Sequence, residues 1–361
     1  LLGKARERPD HVRRVLEKVR DEGLRNAIRQ VSARLDEPMS MGYCSAGIVL
    51  ACGSGVQELK PGDRVVSNGP HAEVVSVGRH LCARVPDGVD LNSAVFTVLG
   101  AIALQGVRLC HVSVGETALV VGLGLVGQLA VAILRSAGVT VLGTDPDPSR
   151  CDLAVKMGAK AARPHLAERD IAEWTGGLGA DAVLIAASTK ARDPMDLAAA
   201  AVRKKGRIVL VGVVGLELDR RPFYFKECEF VVSSSYGPGR YDPAYEERGQ
   251  DYPAAYVRWT EQRNLAAVLE LMACGGLDPS PLVTHRFPVD EALKAYELIE
   301  SRREPYLGIV LEYPGALETT SVKSFDLRVS APAPGGVGVG CLGAGGFARS
   351  TLIPAMVGSG L

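Results

Sequence analysis

Three glycines, Gly122, Gly124 and Gly127, stand in the spacing G-x-G-x-x-G between the apolar run 118–121 and the stretch "QLAVAILRSAG". A strand, a tight turn and a helix start in that order form a cradle for a pyrophosphate. The first glycine permits the turn, the second lets backbone approach the phosphates, and the third lets the helix close on the strand. The phosphates then lie on amides at the helix N-terminus, those of Leu125 and Val126 among them. The next strand-like run ends at Asp145, where a carboxylate would accept both ribose hydroxyls of NAD and repel the extra phosphate of NADP. Arg150, close by in sequence, keeps NADP as the alternative cofactor. A glycine-rich turn with an incidental Asp cap would use the same residues. Strand, turn, helix, second strand and acid all fall in register for the dinucleotide.

These residues need a doubly wound scaffold, and the chain has the rhythm of one. From about 116, "TALVVGL", "VTVLGTD", "DAVLIAA" and "RIVLVGV" alternate with helix-like segments, which predicts right-handed βαβ units and a parallel sheet. Before it, residues 5–36 read as two charged amphipathic helices with Val12, Val15, Leu16 and Val19 at helical spacing and Gly23 as a break. From 41 come short β-type runs, with Pro61, Gly62 and Asp63 as a turn, suited to a small antiparallel barrel. After the strand-like "CEFVVSSSY" a long helix is expected over about 256–274, then "PLVTHRFPVDEALKAYELIES" and a strand "GIVLEY". Residues 314–334 have the composition of a linker.

The order of pieces resembles a medium-chain dehydrogenase/reductase. The residues that carry the resemblance are Gly42, Gly47, Gly53 and Val56, "KPGDRVV" at 60–66, "AEVV" at 72–75, the glycine fingerprint, and "THRFPVDEALKAYELI" at 284–299. It implies an α/β fold in which a GroES-like β-barrel domain (41–107 and 276–313) carries an inserted doubly wound, parallel-sheet Rossmann domain (108–275). It also implies a cleft where nicotinamide meets a small-molecule substrate. Residues 1–40 are expected to be a helical N-terminal segment.

Zinc-dependent members of that family have Gly-His-Glu where this chain has Gly42, Tyr43 and Cys44. Their later Cys or His ligand near "VLGA" (98–101) is missing, and residues 67–71 are too few for their four-cysteine lobe. Zinc needs three or four placed ligands, and Cys44 with His71 supplies two at most. The resemblance is therefore to the zinc-independent branch, with no metal expected. Tyr43, in the place of the lost ligand, becomes the candidate to donate a hydrogen bond or proton to a carbonyl oxygen, a role a phenol fills if its pKa is lowered. A tyrosine packed in the barrel is the alternative. His71 in "NGPH" is the second catalytic candidate, against a purely structural hydrogen-bonder. The tyrosine- and charge-rich segment 235–253 is either a substrate-shaping loop suited to a sugar or a solvated connection.

A second fingerprint, Gly343, Gly345 and Ala348 within "VGVGCLGAGGFARSTLIPAM" (337–356), resembles the opening of the glucose-fructose oxidoreductase and inositol dehydrogenase family. Residues 335–361 are accordingly expected to start a second Rossmann domain of a longer, covalently continued bi-domain oxidoreductase. A single βα unit holds no dinucleotide.

The balance of 41 Lys and Arg against 41 Asp and Glu removes the electrostatic footprint of a nucleic-acid or anionic-membrane binder. The apolar stretch 118–134 is interrupted by glycines and a Gln, as a strand–turn–helix would be and a membrane span would not. Eight cysteines without a CxxC pair suggest reduced thiols of a cytoplasmic protein. Analogy with such folds points to a homodimer. The expected activity is NAD(P)-dependent hydride transfer on a carbonyl/alcohol pair of a sugar or polar metabolite, without catalytic zinc. Rival readings are a bacteriochlorophyllide-type dehydrogenase and a non-catalytic dinucleotide-binding module.

Overall fold

The computed structural model describes residues 40–166, 168–314, 343, 345 and 347–359. A small antiparallel sheet comes first, β1 (Ser45–Ile48), β2 (Arg64–Ser67) and β3 (Cys82–Arg84), in the order β1-β2-β3. The turn before β2 uses Gly62 at φ +92°, and Asp63 Oδ2 accepts from the Lys60 amide at 3.0 Å. A short helix α1 (Leu91–Ala94) is capped by Asp90, whose carboxylate accepts from the Asn92 and Ser93 amides. It leads into α2 (Thr97–Cys110), which stops where His111 takes a left-handed conformation.

The second region alternates as expected: β4 (Thr117–Val121), α3 (Leu125–Ser136), β5 (Thr140–Thr144), α4 (Pro148–Lys156), β6 (Ala161–Ala162), α5 (Glu168–Thr175), β7 (Ala180–Ile185), α6 (Asp193–Ala201), β8 (Val202–Leu210), α7 (Arg220–Lys226) and β9 (Glu229–Val232). The six strands are all parallel in the order β6-β5-β4-β7-β8-β9. Two outward runs from β4 and β7 give a doubly wound sheet with its switch point between those strands, the crevice where such folds hold ligands. Leu119, Val120, Val183, Leu184, Ile208 and Val209 are fully buried, because helices cover both faces. Helix α2 lies across position 107–108 and packs on β7 and β8. Gly106 makes that approach close, since a Cβ there would stand 2.5 Å from Val211 Cγ2.

The chain continues through α8 (Pro243–Glu246), α9 (Glu261–Ala273), β10 (Val283–Pro288), α10 (Ala292–Ser301) and β11 (Gly308–Glu312). The helix expected from about 256 begins only at Glu261. Pro253 opens a turn whose carbonyl accepts from the Tyr256 and Val257 amides, and the Thr260 hydroxyl caps α9. Strand β9 is likewise shorter than "CEFVVSSSY", and "AEVV" at 72–75 forms bends instead of a strand. Strands β10 and β11 pair in parallel as a separate two-stranded sheet, not as antiparallel members of the first.

The described residues from 41 to 314 form one compact unit, and those from 343 to 359 belong to another. In that other unit, Gly343 has φ +80° and its carbonyl accepts from the Gly345 amide at 2.8 Å. One π-type turn (Ala348–Leu352) then runs into α11 (Ile353–Gly358). The helices expected at 5–36, the linker 314–334 past its first residue and the strand before Gly343 lie outside the described residues.

Candidate functional site

The glycine turn is built by three different steric demands. Gly122 has φ +91°, and a Cβ on it would stand 2.5 Å from the Ala187 amide nitrogen just past β7. On Gly127 a Cβ would stand 2.0 Å from the Gly122 carbonyl oxygen, so only glycine lets α3 close on the turn. Gly124 is different: its backbone is extended, it caps α3, and a Cβ there would meet nothing within 4 Å. Open space at that position, beside the first amides of α3 at Leu125 and Val126, is the shape a pyrophosphate requires. Beyond β7 and β8, Gly212 approaches Ala187 closely, and Ser188 bridges Val213. Gly122, Ala187 and Gly212 thus converge at the C-terminal ends of β4, β7 and β8.

Asp145 is buried at the end of β5. Its Oδ2 accepts from the Leu123 amide at 2.8 Å and its Oδ1 from the Asp147 amide at 3.0 Å. The carboxylate is thereby fixed to the glycine turn, with lone pairs left over for hydroxyls. Arg150 Nη1 stands 3.7 Å from Asp145 Oδ2 and reaches Asp147 as well. Gln128 was not singled out from sequence, although a lone amide in the apolar helix start was a visible signal. Fully buried, it donates to the Leu123 and Arg150 carbonyls at 3.0 and 2.8 Å, tying the turn to α4.

Tyr43 and His71 lie at the start of the small sheet. The His71 amide donates to the Met41 carbonyl at 2.7 Å, and its ring lies so close to Gly42 that a Cβ there would stand 2.4 Å from Nε2. The two candidates are therefore neighbours through Gly42. Tyr43 is half-exposed. Its phenol is held above the usual tyrosine range, first by burial and then by the Cys44 charge, so the lowered pKa expected of a proton donor is not realised. Such a phenol keeps its proton through the neutral range. Burial pushes the His71 imidazole down, toward the neutral form. It pushes the Cys44 thiol up to about 12, against a hydrogen bond with the Leu99 backbone on α2.

The 235–253 loop is largely tied into the fold. Tyr236 accepts from Asn68 Nδ2 at 3.2 Å, which joins the loop to the segment after β2. Tyr245, fully buried, donates to Thr260 Oγ1 at 2.7 Å and stacks on His80 at 4.1 Å. Arg240 pairs with Glu246 at 2.5 Å, and Tyr252 donates to Asp242. Tyr241 remains exposed. Glu261, the first residue of α9, is buried with both carboxylate oxygens unpartnered among the described residues, and sequence reasoning had passed over it.

A zinc ion would need three or four of these donors together. Among the described residues no group of three or more His, Cys, Asp or Glu side chains is placed to hold a metal. Cys44 and His71 do not make such a set. Nor is any described helix long and apolar enough to cross a membrane.

Fold order, the glycine turn and the buried acid beside it are the features of a dinucleotide-binding dehydrogenase scaffold. Comparison with known proteins agrees. The zinc-binding dehydrogenase family pattern matches residues 126–248. D-guloside 3-dehydrogenase of Escherichia coli (strain K12) is 31% identical over 255 residues, covering 67% of this chain and 68% of that protein. Human sorbitol dehydrogenase is 26% identical over 297 residues, covering 72% and 76%. An alcohol dehydrogenase from Escherichia coli CFT073, determined with NADH, superposes with a TM-score of 0.60 at 19% identity over 74% of this chain and 82% of that one. The chain belongs to the medium-chain, zinc-binding dehydrogenase family and is a nicotinamide-dependent dehydrogenase.

Proposed function

We propose that this dehydrogenase prefers NAD, oxidises or reduces a hydroxyl/carbonyl pair on a sugar-like substrate, and does so without zinc. The observation that carries the reading is the geometry at Gly124 and Asp145: open space at the helix cap, and an acid pinned to the same turn by the Leu123 amide. The α3 amides would receive the pyrophosphate and Asp145 the ribose hydroxyls, with its charge opposing a 2′-phosphate. Arg150 beside it is the feature that favours NADP. NAD, when bound, supplies the hydride acceptor.

Tyr43 would donate a hydrogen bond to the substrate oxygen, a neutral counterpart of the Lewis acid that zinc provides in other members. His71, kept neutral by burial, is the group on hand to take up a proton. The sugar assignment rests on the D-guloside relative and on the Tyr241 phenol, which the 235–253 loop leaves exposed. A large apolar substrate such as a bacteriochlorophyllide would not suit that loop. The exposed edge of β9 is the surface for the homodimer. The glycine turn at 343–348 is proposed to begin a second oxidoreductase domain.

The experiment is a fluorescence titration with NADH and then NADPH, with Gly124→Val as control and zinc measured on the same sample, followed by a panel of sugars. Saturable NADH binding that the variant loses, with turnover and no stoichiometric zinc, supports the reading. NADPH preference, zinc-dependent turnover, or binding without turnover each removes a part of it.

A further inference from the structure

Two arginines share one aromatic ring on the outer side of α2 and α9. Arg108 Cζ lies 3.5 Å, and Arg258 Cζ 4.0 Å, from the centroid of Trp259. Arg108 projects from α2 and donates through Nε to Asn264 Oδ1 on α9 at 2.9 Å, while Arg258 and Trp259 immediately precede the α9 cap. Among the described residues neither guanidinium has a carboxylate within 4.0 Å. Arg203, Arg240 and Arg263, elsewhere in the same unit, each do. Burial, and then the Arg258 charge, push the Arg108 guanidinium down to about 10, the direction of a cation lacking a counter-charge. The Trp face compensates only in part, since a cation–π contact attracts each arginine to the ring without removing their mutual repulsion.

Arg108 also lines a cleft of about 270 Å³ whose walls include Leu104, Val107, Val112, Ile133 and Leu271. An apolar recess bordered by Arg108, a cation that shares the Trp259 ring with a second arginine, is complementary to an amphipathic anion. The guanidinium fork matches phosphate oxygens bidentately, and a dianion neutralises both charges where a carboxylate neutralises one.

We propose that Arg108, Arg258 and Trp259, with the adjoining cleft, form a second ligand site, for a small soluble phosphate ester with an apolar or aromatic body. None of its residues belongs to the glycine turn. The site is independent of the cofactor assignment above.

Trp259 reports on it directly. The chain has two tryptophans, so Trp174→Phe isolates its emission, and Gly124→Val in the same background blocks phosphate at the dinucleotide turn. This protein is titrated with phenyl phosphate and with inorganic phosphate at constant ionic strength. The expected result is a saturable change in Trp259 emission, with phenyl phosphate half-saturating at the lower concentration. Arg258→Gln, at an exposed position, should weaken phenyl phosphate by about tenfold or more, the effect of losing one charge-assisted contact. Arg108→Gln should do the same. No saturable change, an Arg258→Gln titration that overlays the parent, or phenyl phosphate no tighter than inorganic phosphate overturns the proposal. Vesicles containing phosphatidic acid form the last arm. A response to them alone would assign the site to a lipid surface and likewise overturn a soluble ligand.

Discussion

Glu261 offers the sharpest test of the packing around α9. Its carboxyl is fully buried, its amide donates to the Pro238 carbonyl at 2.8 Å, and among the described residues neither carboxylate oxygen has a hydrogen-bond partner. A position in the first helical turn favours negative charge. Burial opposes it, Glu246 repels it, and Arg240 is already engaged by Glu246; the outcome is a pKa raised to about 8. Between the ordinary carboxylate range and about 8, the folded chain therefore holds a proton that the unfolded chain has released. Stability must fall as pH rises across that window, by up to about 1.4 kcal/mol per pH unit. By pH 7 the accumulated cost is on the order of 3 kcal/mol, an upper bound because a buried site relaxes as it ionises. Glu261→Gln conserves the volume and removes the titration. The Arg240–Glu246 pair is common to both proteins, so it drops out of the difference. Thermal unfolding of the two proteins at intervals from pH 5 to 8 should show the variant gaining on the parent as pH rises. The expected relative gain by pH 7 is about 6 °C, at roughly 2–4 °C per kcal/mol for a unit of this size. Parallel curves would mean that Glu261 is ionised in the fold, and would refute the burial argument.

The glycine turn predicts a contrast between neighbours. Gly127→Ala forces a Cβ to 2.0 Å from the Gly122 carbonyl and should cost about 1–3 kcal/mol in denaturant unfolding, whereas Gly124→Val should unfold like the parent while losing NADH binding. Asp145→Ala should raise the Kd for NADH by about tenfold or more and narrow the preference over NADPH, as read by titration; an unchanged ratio would detach Asp145 from the ribose. Tyr43→Phe should lower turnover by about a hundred- to a thousandfold with the NADH Kd unchanged, the scale of one lost oxyanion-type donor. Because the Tyr43 pKa is raised, the phenol stays protonated across the neutral range. The parent's rate profile should then show no basic limb from Tyr43 below pH 9; such a limb, absent in the variant, would restore Tyr43 as a titrating acid.

What the sequence determined by itself is local. Apolar runs marked β4, β5, β7 and β8, because a strand buried on both faces must be apolar throughout, whereas the two-residue edge strand β6 left no such signal. The fingerprint could be read because glycines 122, 124 and 127 meet their steric demands within one turn and its neighbouring strand. The late start of α9 was also within reach: Pro253 followed by Thr260 and Glu261 is a turn and a helix cap written in order. The remainder depends on contacts between residues far apart in the chain, where spacing carries no signal. Sequence reading treated the 235–253 segment as a substrate loop or a solvated connection. Its polar groups are instead largely bound, Tyr236 to Asn68 and Tyr245 to Thr260 and His80. The Glu261 pKa is raised by burial and then by Glu246 across a fold-back that only packing creates. Arg108 meets Trp259 because α2 and α9 pack side by side, with Gly100 so close that a Cβ would stand 2.7 Å from Val268. Tyr43 was found by position, but the direction of its pKa was decided by burial, a property of the assembled fold and not of the residue.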